Sequence, residues 1–466
     1  MSREKVFIKN TLIYTIGNLS SKILVFLLLP LYTHYLSTNE YGYIDIIITT
    51  ISLFLPIVTF QITDGLFRFL LESEDEHQKT SIISSSFKIV FRNLLFVDII
   101  YLILINFIKI ELAILIMIYF NVLIFNSLYL QISRGLRKNL IYAIAGIIST
   151  LVNLCSNIVL IIFLDFKING IIISMILSNI AAIIYIEKKL KISSYIKFNL
   201  SSPSLKKEII IYSLPLIPNV INWWVMNASD RFFLNLFIGM EANGIYALAN
   251  KFPSILIILN SIFNLAWQES AITEYKSKDR DEYYSKMFNY FLRFQIASLL
   301  ILLSATPIIF KFLIDKSFAD AYLYMPALYI SAMFSAFSSF YGTGFQSSKD
   351  TKGAFYSSIF GSIINIIFNI ILIPIIGIHG ATISTAISFG SMWVIRIFQT
   401  KKYFKIKIDI NFLIKSHLLL VVFVFLYYTK NISISYVSFF FSLLIFIYLN
   451  KSLLLNKVKG IKLKNK

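Results

Sequence analysis

Apolar runs of roughly 18–25 residues recur from one end of this chain to the other. As a helix, a run of that length crosses a hydrocarbon core of about 30 Å. The runs do not alternate with a period of two, as barrel strands of about ten residues would. In lipid, every backbone donor and acceptor must then be bonded inside its own helix. The fold class is therefore all-α and polytopic. Composition agrees: the 466 residues are 57% hydrophobic and 14% charged, with a mean hydropathy of +0.76. Soluble domains are about half apolar and a quarter charged.

The runs place about fourteen helices. They begin near Thr11, Tyr41, Thr80, Leu112, Leu140, Ile168, Ile209, Asn243, Tyr284, Ala319, Gly353, Ile378, Phe412 and Ile432. The basic start MSREKVFIKN leads into a run that continues through Gly17, Lys22 and Pro30, and reads as a retained first helix rather than a cleaved signal. The one cysteine, Cys155, permits no disulfide within the chain and reads as a small buried hydrophobe.

The net charge of +19 records topology. Of the 43 Lys and Arg, thirty-two fall in the two tails and in alternate loops. The opposite loops hold five: Lys109, Lys167, Lys311, Lys316 and Lys430. This positive-inside asymmetry puts both termini in the cytoplasm. The basic loops then face anionic lipid headgroups, and a nucleic-acid partner is not expected.

An internal repeat follows six helices. YLSTNEYG (35–42) resembles FIGMEANG (237–244). Asn153 and Asn157 match Asn365 and Asn369, while Gly170, Ser174 and Ser178 match Gly380, Ser384 and Ser388. The offsets are nearly constant, and an even helix count gives both halves the same direction, as in parallel-repeat transporters. The expected organisation is an amino-terminal half over 1–190, a basic linker over 191–208, a second half over 209–402, and two extra helices with a basic tail over 403–466. The repeated small residues read first as close helix packing.

Six cations remain inside helices: Lys22, Lys88, Arg92, Arg231, Lys251 and Arg293. A charge at a helix centre in lipid is costly, so such residues face a bundle interior or water. At about 1.5 Å per residue, Lys22 and Arg92 lie roughly 15–18 Å from their helix starts, and Lys251 roughly 12 Å below the outer face. Lys88 and Arg293 lie nearer the cytoplasm, where snorkelling accounts for them equally well. Arg231 adjoins Asp230 in WWVMNASDRFFLNLF (223–237), a pair that reads either as a structural ion pair in a bent helix or as part of a cavity. Of the acids, Asp98 follows Arg92 by six residues. Asp64 and Glu269 occupy matching helix ends of the two halves, with Asp64 within i, i+4 reach of Arg68. They read as a cytoplasmic gate or as ordinary helix-end charges. A cavity lined by these cations suits a phosphate or pyrophosphate, whereas an exporter of organic cations would want acids.

Catalytic and metal motifs are missing. The sequence has no GxxxxGK[ST], no HExxH, no Cys/His ligand cluster and no nucleophile elbow, so neither an enzyme nor a metal site is expected. The four histidines, 34, 77, 379 and 417, are scattered near helix ends.

Three blocks resemble Wzx-type polysaccharide flippases: NTLIYTIGNLSSKILVFLLLPLYTHYLSTNEYGYID (10–45), SLPLIPNVINWWVMNASDRFFLNLFIGMEANGIYALANKFPSIL (213–256) with IFNLAWQESA (262–271), and the stretch 324–374 with GIHGATISTAIS (377–388). The resemblance runs in register through helices one to twelve. It implies membership of the superfamily that includes multidrug and toxin extruders and the lipid II flippase. Two six-helix lobes, MATE-like, would surround a cavity that opens alternately to each side, with two further helices at the carboxyl end. The substrate would be an undecaprenyl-pyrophosphate-linked oligosaccharide moved across a bacterial inner membrane for O-antigen or capsule synthesis. No cofactor is implied, though H+ or Na+ coupling and association with a polysaccharide polymerase fit the family. Lys22, Arg92, Arg231 and Lys251 would hold the headgroup, with Trp223, Trp224 and Trp267 stacking on sugars or lying at the membrane interface. Asp64, Asp98, Asp230 and Glu269 would be structural or gating charges. An ion-coupled drug antiporter of the same fold is the rival that the cationic bias disfavours. A polymerase or scaffold of the same pathway is disfavoured by short outer loops poor in Arg.

Overall fold

The computed structural model describes residues 26–107, 111–348 and 352–462. All regular structure among them is helical. Helix α1 is described over residues 26–35. It is followed by α2 (Thr38–Val58), α3 (Ile62–Glu72), α4 (Glu76–Leu104), α5 (Ala113–Gly135), α6 (Asn139–Asn157, prolonged by a π-turn to Phe163) and α7 (Lys167–Leu190). The second half holds α8 (Pro203–Ser213), α9 (Ile217–Ala228), α10 (Asp230–Phe237), α11 (Met240–Lys251), α12 (Ser254–Thr273) and α13 (Arg280–Leu313). Then come α14 (Met325–Ser347), α15 (Lys352–Ile376), α16 (Ile378–Thr400), α17 (Ile410–Tyr428) and α18 (Ile432–Lys462).

Twelve segments among the described residues are long and apolar enough to cross a membrane. Two of the fourteen expected helices fall outside this set. The first lies partly outside the described residues. The third, α4, is 29 residues long but carries Lys88, Arg92 and Asp98 in its apolar half. Phe163, Leu236, Ile375 and Phe425 are each more than two-thirds exposed, a surface that lipid rather than water would cover. Cys155 is exposed on α6 as well. This corrects its reading as a buried residue, because a helix apolar on all sides gives no sign of which face packs inward.

Helices seven and eight of the sequence count are each interrupted. Pro215 lies within a 3-10 turn, Leu214–Leu216, between α8 and α9, and Pro218 follows in the first turn of α9. A further lapse at Ser229 separates α9 from α10. Pro253 lies between α11 and α12, where a missing N–H makes a break inexpensive.

The chain forms two compact units, 1–224 and 225–466. Each repeats the same motif. Helix α2 begins at Thr38 and α11 at Met240, an offset of 202. Ser37 caps α2 through a reciprocal capping box with Glu40, whereas Gly239 starts α11 at φ +129°, a conformation that favours glycine. In the first unit Gly170 of α7 packs on Leu160 and Ile161, 3.2 and 3.3 Å from where a Cβ would stand. In the second, Gly380 of α16 packs on Leu372 and Ile373, which lie 212 residues further on, with the Leu372 backbone only 2.5 Å away. The small residues repeated in the sequence thus bring consecutive helices into close contact, as at α6–α7 and α15–α16.

The basic segment before α8 is docked on the first unit. Ser81 donates to Leu200 O at 2.8 Å, Ser84 to Tyr195 O at 2.9 Å, and the Lys197 amide to Ser84 Oγ at 2.8 Å. The Tyr195 hydroxyl reaches Glu76, whose carboxyl is held below the usual range by Lys79 first and by Tyr195 after it. In the second unit α17 and α18 pack along α13. Arg293 pairs with Asp409 at 3.3 Å, and Ser304 bonds Ser442 at 3.0 Å.

Candidate functional site

The charge pair of the sequence sits where the α9–α10 helix lapses. Ser229 keeps helical angles (φ −66°, ψ −27°), but the ladder shortens there, with Phe232 N bonding Ser229 O at 3.0 Å. Asp230 opens α10, where the helix dipole favours an acid. Its side chain is 1% exposed, yet its carboxylate is well satisfied. Oδ1 accepts from the Arg231 amide at 3.0 Å and from Arg231 Nη1 at 3.2 Å. Oδ2 accepts from the Tyr246 hydroxyl of α11 and lies 3.2 Å from Thr385 Oγ1 of α16. Thr385 also lies 3.0 Å from the Ala381 carbonyl, and its one proton serves one acceptor at a time. Arg231 donates to Asn227 O at 2.9 Å and lies over the Tyr246 ring, 5.6 Å from its centroid, with its side chain 12% exposed.

A neutral network adjoins the pair. Ser229 Oγ donates to Asn365 Oδ1 at 3.0 Å, and Asn369 Nδ2 donates to the same oxygen at 3.0 Å. Asn365 Nδ2 and Asn369 Oδ1 are buried without a partner, leaving one donor and one acceptor open among the described residues. A buried polar group without a partner is costly. The first unit has the equivalent pair. There Asn157 Nδ2 bonds Asn153 Oδ1 at 3.1 Å, and the Tyr32 hydroxyl of α1 donates to Asn157 Oδ1 at 3.0 Å.

The other expected residues are dispersed. Lys22 lies outside the described residues. Arg92 is exposed on α4, with Asn93 Oδ1 3.3 Å from its Nη2. Asp98 accepts from Asn121 Nδ2 at 3.1 Å and lines a cavity of about 250 Å3 with Thr50, Tyr101 and Phe120. Lys251 is half-buried at the end of α11, the helix that supplies Tyr246. Asp64 accepts from Gln61 at 2.9 Å, and Arg68 pairs with Glu72 at 2.9 Å instead of with Asp64. That corrects the expected i, i+4 pair: Asp64 lies in the first turn of α3, where the cap residue reaches it first. Glu269 is exposed on α12.

Two further expectations are corrected. Trp267 is 4% exposed, stacks on Phe340 at 4.1 Å and donates to Phe340 O at 3.2 Å, so it is a core residue without a free face for sugar. Trp224 directs its indole N–H to Thr49 O at 3.1 Å and Ser52 Oγ at 3.0 Å, while Trp223 is half-buried. Arg396, one of the thirty-two cations assigned from the sequence to the tails and alternate loops, is instead buried in α16. There it donates to Ser357 Oγ at 2.9 Å and Ser338 O at 2.7 Å, against the open side of Gly342. The sequence reading missed Tyr246, Thr385 and Arg396, whose partners lie far along the chain. Among the described residues, no group of three His, Cys, Asp or Glu side chains is placed to hold a metal ion.

Interrupted helices, a lipid-facing apolar surface and a charge centre within a helical core define a multi-pass membrane protein. The chain belongs to the family described as polysaccharide biosynthesis protein, whose model matches residues 7–272, more than half its length. Its fold is shared with the lipid II flippase MurJ in an inward closed conformation, at a TM-score of 0.69 and 17% identity over 96% of this chain and 100% of that one. A multidrug resistance MATE family transporter of the MOP superfamily, inward-facing, gives a TM-score of 0.68 and 14% identity over 83% and 94%. A MATE in the straight conformation gives 0.60 and 16% over 85% and 94%. Comparison with curated proteins finds no match.

Proposed function

We propose that this protein flips an undecaprenyl-pyrophosphate-linked oligosaccharide across the bacterial inner membrane by alternating access, for O-antigen or capsule synthesis. Both termini lie in the cytoplasm in this reading, and no covalent chemistry is required. The observation that carries it is the joining of two facts: a polysaccharide biosynthesis family match and a fold shared with a lipid II flippase. The physical difficulty of the task is the pyrophosphate, since unpaired charge in hydrocarbon is prohibitive. Arg231, held to one side of Asp230 and partly exposed, is the group best placed to meet it. Arg92, exposed on α4, Lys251 and Lys22 are the remaining candidates.

Coupling to an H+ or Na+ gradient belongs to the same proposal. Asp230 is the natural receiver, being a buried carboxylate ringed by the oxygens of Tyr246 and Thr385. A polysaccharide polymerase is the expected neighbour in the membrane. A second reading, an ion-coupled antiporter of small molecules, takes support from the MATE structures that share the fold.

The experiment uses a deletion strain. Lipid-linked oligosaccharide is extracted, and its leaflet is assigned with a membrane-impermeant sugar-modifying reagent on intact spheroplasts. Complete, unpolymerised units held on the cytoplasmic side, and released by the intact gene, support flipping. Normal outward exposure in a strain with no second flippase sinks it. Altered drug resistance in that strain then favours the antiporter.

A further inference from the structure

The side of the membrane opposite the basic loops is poor in cations, yet three of its five lysines converge. Lys311 at the end of α13, Lys316 just beyond it and Lys430 in the α17–α18 turn line one cavity of about 330 Å3. Lys109 lies outside the described residues, and Lys167 belongs to the other unit. The cavity is held in shape by its neighbours. Tyr322 and Tyr427 stack at 4.0 Å with an interplanar angle of 7°, and each donates its hydroxyl to the other's carbonyl. Tyr428 adds a bond to Leu323 O at 2.8 Å. These contacts fasten the α17–α18 turn to the 3-10 segment Lys316–Tyr324 and so bring Lys430 to the pocket.

Three lysines and one aspartate, Asp315, line the pocket. Asp315 is occupied in capping that 3-10 segment, accepting from Ser317 N and Oγ, each at 2.9 Å. None of the three lysines forms an ion pair with a carboxylate among the described residues, and all three are exposed. Three lysines against the single carboxylate of Asp315 leave the pocket with an excess of positive charge, which a bound anion would offset. Its rim supplies the second half of the chemistry: Phe312 is 66% exposed and Leu313 48%, and Phe310 and Ile432 line the wall. Ammonium groups beside an exposed apolar edge match a phosphate that carries acyl chains.

We propose that this pocket binds the phosphate headgroup of an anionic lipid from the leaflet on its side, and that α17 and α18 serve to complete it. The inference goes beyond flipping and does not depend on it.

The test uses the purified full chain in micelles doped with equal amounts of phosphatidylglycerol and phosphatidylcholine, with bound lipid counted by native mass spectrometry. Wild type should retain phosphatidylglycerol over phosphatidylcholine, and an excess of inorganic phosphate should not displace it. The triple variant Lys311→Gln, Lys316→Gln, Lys430→Gln should retain one phosphatidylglycerol fewer and bind it about tenfold more weakly or worse. The corresponding triple Arg variant should bind like wild type, which separates lost charge from lost fold. Unchanged retention by the Gln variant overturns the proposal. So does loss of retention in both triple variants, or displacement by inorganic phosphate, which would make the occupant a soluble ion.

Discussion

The two asparagine pairs, Asn153–Asn157 and Asn365–Asn369, occupy corresponding helices and make the same i, i+4 side-chain bond. They end differently. The first ends on a tyrosine hydroxyl, Tyr32, from the helix that opens its unit. The second ends on Ser229, the neighbour in sequence of Asp230. The repeat therefore supplies a common scaffold of close helices and amide bonds, and in the second unit that scaffold adjoins the Asp230–Arg231 pair. A neutral network of this kind fixes helix positions. The second ends beside a buried carboxylate paired with a largely buried arginine.

The comparison breaks if the two networks respond alike to mutation. Asp230→Ala leaves Arg231, Tyr246 and Thr385 without their shared acceptor, and should cost about 3–5 kcal/mol of unfolding free energy in detergent. Gly380→Ala should cost about 1–3 kcal/mol, because the new methyl meets the Leu372 backbone, which cannot swing away. Gly170→Ala meets side chains at 3.2–3.3 Å and should cost less than Gly380→Ala, so equal losses would mean the two helix crossings are the same. Asn157→Ala in the neutral network should cost about 1 kcal/mol, well below the loss at Asp230. Cys155→Ala, at an exposed position on α6, should stay within about 0.5 kcal/mol.

Much of the architecture is legible in the sequence because a bilayer leaves few alternatives. The starts at Ile378 and Ile432 coincide with the helix ends found, and the repeat offsets reappear as matching contacts. The prolines at 215, 218 and 253 announce where helices seven and eight break. The lapse at Ser229 has no such sign, since its backbone stays helical. The partners of Asp230 are illegible for another reason. Tyr246 and Thr385 stand 16 and 155 residues away, and only tertiary packing brings them in. Arg396 is hidden by its company, a helix end that runs into Lys401, Lys402 and Lys405. Faces are the hardest feature to read. In water a helix shows a polar side, whereas here Cys155 toward lipid and Trp267 toward the core stand in equally apolar runs.

The most direct test of a working charge centre is the leaflet distribution of lipid-linked oligosaccharide in cells whose only copy of the protein carries Arg231→Ala. Complete units should collect on the cytoplasmic side, and surface polysaccharide should be lost, with the protein present at its normal level. Normal exposure on the outer side, at that same protein level, would contradict it.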